Sequence, residues 1–134
     1  MVSSCQESSK QSDNREIKQP DNTRFSLLDK ETTGIDFVNR IENQKDFNIF
    51  TYRNFYNGGG VAIGDINNDG LPDIYLTSNF GKNKLYLNKG NLKFEDISTS
   101  SHAEGNKAWS TGVVMVDLNA DGLLDIYVCN AGNI

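Results

Sequence analysis

The sequence contains few of the residues that form sulfur- or imidazole-based sites. Its 134 residues include 2 Cys and 1 His, too few for a disulfide framework or a zinc centre of the cysteine–histidine type. His102 has no second His or Cys close to it in the sequence, and no Gly-x-Ser-x-Gly nucleophile motif is present. These absences indicate that the chain is not an enzyme. Cys129 lies in an apolar strand pattern and is predicted to be a small buried side chain.

An excess of basic residues and long apolar runs are missing as well. The 13 Lys and Arg residues are outnumbered by 18 Asp and Glu residues, which gives a formal net charge of −5 and argues against nucleic-acid binding through a basic surface. No apolar run approaches the roughly 18 residues of a membrane-spanning helix. Runs of Ala and Leu of helical length are also missing, whereas Asn and Gly are abundant. This composition predicts short strands joined by many tight turns.

The first 24 residues are poor in apolar side chains. Residues 1–24 hold two sizeable aliphatic side chains, Val2 and Ile17, and are predicted to form a tether without a packed core. Two interpretations of this segment stay open. Val-Ser-Ser-Cys5 followed by a polar run resembles the end of a bacterial lipoprotein signal, which would give a lipid anchor at Cys5 and a place on the cell surface or outer membrane. In the other interpretation, the segment is an ordinary tail with a stray cysteine.

The strongest pattern in the sequence is an internal repeat. Residues 60–78 align without gaps on residues 112–130, at an offset of 52 residues, and 10 of the 19 positions are identical. Several of the remaining positions exchange one apolar residue for another, as a repeated packing environment allows. Upstream of the repeat, apolar clusters at residues 25–28, 35–38 and 47–50 predict further short strands.

Each copy of the repeat carries the spacing Asp-x-Asn-x-Asp-Gly-x-x-Asp. Side chains at positions 1, 3 and 5 can direct oxygen atoms into one concavity, the Gly at position 6 permits a sharp turn, and the carbonyl at position 7 can join them. The last Asp opens the next strand and closes the cage. Oxygen ligands at this spacing are typical of Ca²⁺. The predicted ligands are Asp65, Asn67, Asp69, Leu71 and Asp73 in the first copy and Asp117, Asn119, Asp121, Leu123 and Asp125 in the second.

The charge distribution agrees with cation binding. The two loops hold six of the 18 acidic residues. The 12 acidic residues elsewhere in the chain are balanced by 13 basic residues, so the net negative charge resides in the loops. The alternative is that the same side chains only stabilise turns by hydrogen bonds to the backbone, but two matched copies favour metal binding. An EF-hand would need flanking helices and a Glu at loop position 12, where this chain has Leu76 and Val128.

The spacing of the apolar runs predicts the architecture. Strands are expected on both sides of each loop, and two more follow the first copy, near residues 85–87 and 94–97. Four short antiparallel strands in each repeat of this length are typical of a β-propeller blade. We therefore predict an all-β fold, a partial β-propeller of about one and a half four-stranded antiparallel blades. Its incomplete domain covers residues 25–134, with repeats at 57–97 and 109–134. Since a closed propeller needs at least about four blades, the chain is expected to be part of a longer protein.

These residues resemble the FG-GAP or VCBS repeat, the calcium-loop blade also found in integrin α-chain heads. The likeness rests on residues 57–62 and on the loop that begins at Asp65. Residues 85–88 and 94–97 are similar to blade strands of the ASPIC/UnbV group, which includes the cartilage acidic proteins and many bacterial surface proteins. The resemblance implies a seven-bladed propeller, structural metal sites and extracellular binding. The chain departs from the group because it has little more than one blade and no C-terminal ASPIC/UnbV segment.

Together the repeat, the loops and the resemblance predict a function. We expect a calcium-binding propeller module of an extracellular or surface-anchored protein, with a structural role and an extracellular protein or glycan as its partner. A carbohydrate-binding propeller and a non-catalytic part of a secreted hydrolase or lyase are the alternatives. Trp109, Tyr75 and Tyr127 are predicted to be packing residues rather than ligand platforms.

Overall fold

The computed structural model describes residues 24–106 and 109–131, which form two antiparallel sheets and one short helix. The predicted lipid anchor at Cys5 and nearly all of the predicted tether lie outside these residues. The elements are α1 (Lys30–Thr33), β1 (Val61–Gly64), β2 (Asp73–Leu76), β3 (Lys84–Asn88), β4 (Phe94–Asp96), β5 (Ser110–Val116) and β6 (Asp125–Asn130).

Strands β1 to β4 form the first sheet, in the order β1-β2-β3-β4. Each strand pairs antiparallel with the next along the chain, so the sheet is a simple meander. Alternation along the strands buries one face: Ala62 lies opposite Tyr75, which lies opposite Leu85, and all three side chains are buried. The first sheet is therefore the complete four-stranded unit that the sequence predicts.

Strands β5 and β6 form the second sheet, and they repeat the geometry of β1 and β2. Val113 pairs with Val128 and Met115 with Ile126, which is the register of β1 and β2 at the equivalent positions of the repeat. The prediction of an all-β chain, with one complete and one partial four-stranded antiparallel unit, is confirmed.

The two sheets pack against each other through apolar side chains. The buried face of the first sheet, formed by Ala62, Tyr75 and Leu85, contacts side chains of both strands of the second sheet, among them Val113 and Ile126. Burying several aliphatic and aromatic side chains here contributes on the order of 1.5–3 kcal/mol for each fully buried one.

A second core, an aromatic cluster, joins the two sheets at one end. Trp109 is 1 % exposed, stacks on Phe55 with ring centroids 5.2 Å apart, and meets Phe47 edge to face at 4.7 Å. Tyr52 and Phe80 complete the cluster. The Trp109 amide donates to the Asn79 carbonyl at 2.6 Å, which ties the start of β5 to the end of β2. Trp109 and Tyr75 are packing residues, as predicted.

The prediction of short strands before residue 57 is wrong. Within residues 24–60 the structure contains one helix of four residues and no strand. Local side-chain hydrogen bonds explain part of this result, because they compete with strand pairing. Asn48 donates to the carbonyls of Gln44 and Lys45 and accepts from the Phe50 amide, which closes turns around the apolar residues.

The predictions for Cys129 and Tyr127 are also wrong, and for a common reason. Cys129 is exposed and Tyr127 is 55 % exposed. Both lie on the face of β6 that has no sheet packed on it within the described residues, so an apolar strand pattern here does not lead to burial.

Candidate metal-binding loops

The two acidic loops connect the first two strands of each sheet. The first loop, residues 65–73, runs from the end of β1 into β2, and the second loop, residues 117–125, runs from the end of β5 into β6. Each predicted set of five site residues therefore lies on one such hairpin connection.

In the first loop, the carboxylate of Asp65 organises the turn. Its two oxygens accept from the amides of Asp69 at 3.1 Å and Gly70 at 2.8 Å. These bonds bring the middle of the loop back toward its first residue. Gly70 has a φ of 84°, in the left-handed region that glycine adopts without steric cost, so the position-6 glycine has the role that the sequence predicts.

Asn67 and Asp69 form the second half of the network in the first loop. The Asn67 side chain accepts from the Asp69 amide at 3.2 Å and donates to an Asp69 carboxylate oxygen at 2.9 Å. The other oxygen of Asp69 accepts from the Leu71 amide at 2.8 Å. The side chains at positions 1, 3 and 5 are thus held side by side by the loop's own backbone.

The second loop repeats this network bond for bond. Asp117 accepts from the amides of Asp121 at 3.1 Å and Gly122 at 2.9 Å. Asn119 accepts from Asp121 and donates back to it, and Asp121 accepts from the Leu123 amide at 2.8 Å. Because identical residue types at equivalent positions fold identically, the loop conformation is specified locally by the motif.

The final aspartates of the two loops differ in their surroundings. Asp73 is fully buried, and its two oxygens accept from the amides of Ile66 at 2.9 Å and Asn88 at 2.7 Å. Asp125 is half-buried and accepts from the Leu118 amide at 3.0 Å. The additional donor to Asp73 comes from β3, which has no counterpart beside β6 among the described residues.

Asn88 is a residue of the site that the sequence reasoning did not identify. Besides donating its amide to Asp73, it donates from its side chain to the Pro72 carbonyl at 2.9 Å. It therefore fastens the end of the first loop to β3. Its position at the end of an alternating strand pattern is the signal that could have identified it.

The donor chemistry of both loops fits a hard divalent cation. All the polar side chains at the predicted positions present oxygen, and a carboxylate oxygen that accepts one N–H bond keeps a second lone pair. Within residues 24–106 and 109–131, however, no three Asp, Glu, His or Cys side chains are grouped so that they could hold a metal ion. The structure thus shows loops of suitable composition, with carboxylates bound to their own backbone amides.

Comparison with known proteins identifies the repeat. Residues 65–128 match the model of the FG-GAP-like repeat family. The matched segment, 64 of the 134 residues, is similar to an FG-GAP-like repeat. The match runs from the first loop to β6, so both loops lie on the FG-GAP-like segment, and the resemblance predicted from the sequence is confirmed.

The chain is also similar to curated vertebrate proteins. The chain is 38 % identical over 78 residues to cartilage acidic protein 1 of Xenopus tropicalis, and 34 % identical over 76 residues to the human protein of the same name. These alignments cover 58 % and 56 % of this chain but 12 % of each relative. No solved structure matches the chain. No helix in the described part of the chain is long and apolar enough to cross a membrane.

Proposed function

We propose that this chain is a calcium-binding FG-GAP-like repeat module of an extracellular or surface-anchored protein, with a non-catalytic role in structural support and partner binding. The observation that carries the proposal is the identical hydrogen-bond network of the two loops, which holds the same oxygen-bearing residues in the same order. Each loop also carries three carboxylates, whose mutual repulsion a bound cation would relieve.

The cation would act on the hairpin connections. In each loop the first carboxylate follows one strand and the last one opens the next, so an ion shared between them would fasten the two strands at that end. Such binding requires carboxylates that now accept backbone N–H bonds to turn toward a common centre. Two bound divalent cations would also offset most of the formal charge of −5.

An extracellular location is proposed together with the calcium sites. Extracellular calcium modules have dissociation constants of about 10⁻⁴–10⁻³ M, and the exposed Asp69 and Asp121 would let a cation enter both loops from solvent. The similarity to cartilage acidic proteins supports the same location, although the chain aligns with 12 % of those relatives.

A calcium titration tests the proposal. The chelated chain is melted at increasing Ca²⁺, with Mg²⁺ as the comparison ion, and the melting temperature is followed. At a free Ca²⁺ of about 100 times the dissociation constant, each site would add about 2.7 kcal/mol to the free energy of unfolding. An unchanged melting curve would overturn the proposal.

Matched variants distinguish calcium binding in the loops from the general effect of removing a negative charge. Asp69→Asn and Asp121→Asn each remove one loop charge and keep an oxygen that can accept from the following amides. We expect each variant to lose about half of the calcium-dependent stabilisation and the double variant to lose nearly all of it. Asp46→Asn, at an exposed position outside both loops, removes the same charge and is expected to respond like the unmodified chain. Equal responses in all these variants would contradict a loop site.

A glycan is a second candidate partner, and one cavity favours it. The cavity, of about 330 Å³, lies where β5 approaches the segment before β1, and its lining is uncharged. Tyr52, Asn54 and several glycines are among the residues that line it, and hydroxyl, amide and backbone groups of this kind can hydrogen-bond to a neutral sugar. A glycan array, run with and without chelator, would separate this role from protein binding.

A further inference from the structure

Three peptide bonds in the chain join an asparagine or an aspartate to a glycine. They are Asn57-Gly58, Asp69-Gly70 and Asp121-Gly122, and Asn57 is the only asparagine that precedes a glycine. At such a pair the glycine nitrogen can attack the side-chain carbonyl carbon of the residue before it, because glycine has no Cβ to obstruct a five-membered imide ring. Asparagine is among the chemically labile residues for this reason. The structure distinguishes the three pairs.

The two Asp-Gly pairs are held in a form that opposes ring closure. In the first acidic loop the Gly70 amide donates to Asp65 at 2.8 Å, and the Asp69 carboxylate accepts from the Leu71 amide at 2.8 Å. The nitrogen that would attack and the carboxylate that would be attacked therefore both have other partners. The second loop has both bonds at the equivalent positions, so each acidic loop protects its own Asp-Gly bond.

The Asn57-Gly58 pair has neither restraint. Asn57 is exposed, and among the described residues no partner forms a hydrogen bond with its side chain or with the Gly58 amide. The preceding turn is closed by the Asn57 amide, which donates to the Asn54 carbonyl at 3.1 Å. Gly58 has a φ of 77°, and a Cβ built on it would meet no atom within 4 Å beyond its chain neighbours. The Asn57 side chain and the Gly58 nitrogen can therefore approach each other.

The surroundings of this pair also provide space and access to water. Asn57 and Gly58 both line the cavity of about 330 Å³ that lies beside the segment before β1. A five-membered ring is much smaller than this cavity. Because Asn57 is exposed, solvent can reach the ring for the hydrolysis that completes the reaction.

We propose that Asn57 is a site of slow self-modification, which converts it to a mixture of aspartate and isoaspartate. The Gly58 nitrogen forms a bond to Asn57 Cγ, the Cγ–Nδ2 bond breaks, and the proton of the glycine amide leaves with the side-chain nitrogen as ammonia. One water then adds to either carbonyl of the imide. Opening at Cγ gives aspartate on the original backbone, whereas opening at the main-chain carbonyl leaves the peptide running through Cγ as isoaspartate.

Isoaspartate at this position disturbs the glycine segment that follows. It adds one methylene group to the main chain immediately before Gly58, whose carbonyl accepts from the Asn79 side chain at 3.1 Å. A methyl group on Gly59 would overlap the Thr77 carbonyl oxygen, so the segment has no room to shift toward the end of β2. The modification also places a negative charge beside a cavity whose lining is otherwise uncharged.

Ageing of the whole chain at mildly alkaline pH, in water enriched in heavy oxygen, tests the proposal. Tandem mass spectrometry of digested samples should find heavy oxygen at Asn57 before any other asparagine, in both aspartate and isoaspartate. Asn57→Gln keeps a side-chain amide but needs a six-membered ring, so its loss of ammonia should be at least about tenfold slower. Asn54→Gln changes another exposed asparagine on the same cavity and should age like the unmodified chain.

Unfolding in urea separates the effect of the fold from that of the sequence. The bonds that protect the acidic loops are then lost, so isoaspartate formation at Asp69 and Asp121 should rise at least about tenfold, whereas the rate at Asn57 should change less than about threefold. The proposal would be overturned by earlier reaction at another asparagine, by aspartate alone at Asn57, or by a rate at Asn57 that rises on unfolding as much as the rates in the loops.

The melting temperature tests the structural consequence. Asn57→Asp has the new charge on an ordinary backbone, so the aged chain, which contains isoaspartate, should melt below this variant. Equal melting temperatures would contradict a displacement of the glycine segment.

Discussion

Asp73→Ala should destabilise the chain far more than the matched substitution Asp125→Ala. Both residues close an acidic loop, but Asp73 is fully buried and accepts from two backbone amides, those of Ile66 and Asn88. Asp125 is half-buried and accepts from one, that of Leu118. The comparison therefore measures what a third strand adds to an otherwise identical loop.

The magnitude follows from the number and burial of the bonds. A hydrogen bond to a charged group contributes about 1.5–3 kcal/mol, and a buried donor left without a partner costs the removal of its hydration as well. Losing two such bonds should lower the free energy of unfolding by about 3–6 kcal/mol in Asp73→Ala. For Asp125→Ala we expect a loss of about 1–2 kcal/mol, because water reaches the vacated amide. Asp73→Asn keeps one acceptor oxygen, so its loss in the free energy of unfolding should lie between the losses of Asp73→Ala and Asp125→Ala.

Urea unfolding in the presence of a chelator measures these values without any contribution from metal. Trp109 is the only tryptophan of the chain and is buried in the aromatic cluster, so its fluorescence reports unfolding of the region that joins both sheets. The transition midpoint should move while the dependence on urea concentration stays constant. Equal losses in Asp73→Ala and Asp125→Ala would refute the reasoning, since burial and the bond from β3 would then have no energetic effect.

Two further predictions concern a buried phenol and a close backbone approach. Burial, together with the bond that the Tyr86 hydroxyl donates to Asp36 at 3.0 Å, raises the pKa of Tyr86 to about 12. The native state therefore favours the protonated phenol. The resulting stability should be fully present below about pH 10 and be lost as the pH rises toward 12. Tyr86→Phe should reduce this loss in urea titrations, and only in part, because burial also raises the pKa of Tyr75; an unchanged pH dependence would contradict this assignment. Gly60→Ala should destabilise the chain by more than about 1 kcal/mol, because the added methyl group would lie 2.7 Å from the Thr111 carbonyl oxygen. Gly112→Ala, its equivalent in the second copy, meets no atom within 4 Å and should change thermal stability little, so similar melting temperatures for the two variants would argue against a close contact between the sheets.

The repeat and its loops could be predicted because their structure is determined locally. The motif contains the residues that make its own hydrogen bonds: Asp65 reaches the amide of Gly70, five residues away. Strand alternation likewise predicts which side chains of β1 and β2 share a face. Such features need no knowledge of distant residues, which explains why the two copies agree closely.

The rest depends on contacts between distant parts of the chain. Asn39 lies in a segment without strands, and its side chain bonds to both the amide and the side chain of Asn79, forty residues later. Cys129 and Tyr127 are exposed because no sheet within residues 24–106 and 109–131 covers them, and the pattern of β6 itself does not indicate this exposure. The gathering of three carboxylates around one centre, which the loop spacing predicts, is not seen in the described residues, and under the proposed function it would require a bound cation.

The backbone turn within each loop has a consequence for local motion. Asn68 has a φ of 58° and Ala120, at the equivalent position, a φ of 61°. Asparagine adopts this left-handed conformation readily, whereas an alanine is strained there by about 1 kcal/mol. The second loop should therefore open about five times more often than the first, and its amides should exchange hydrogen with solvent correspondingly faster. The two loops, which have the same hydrogen bonds when closed, would thus differ in how long they remain closed.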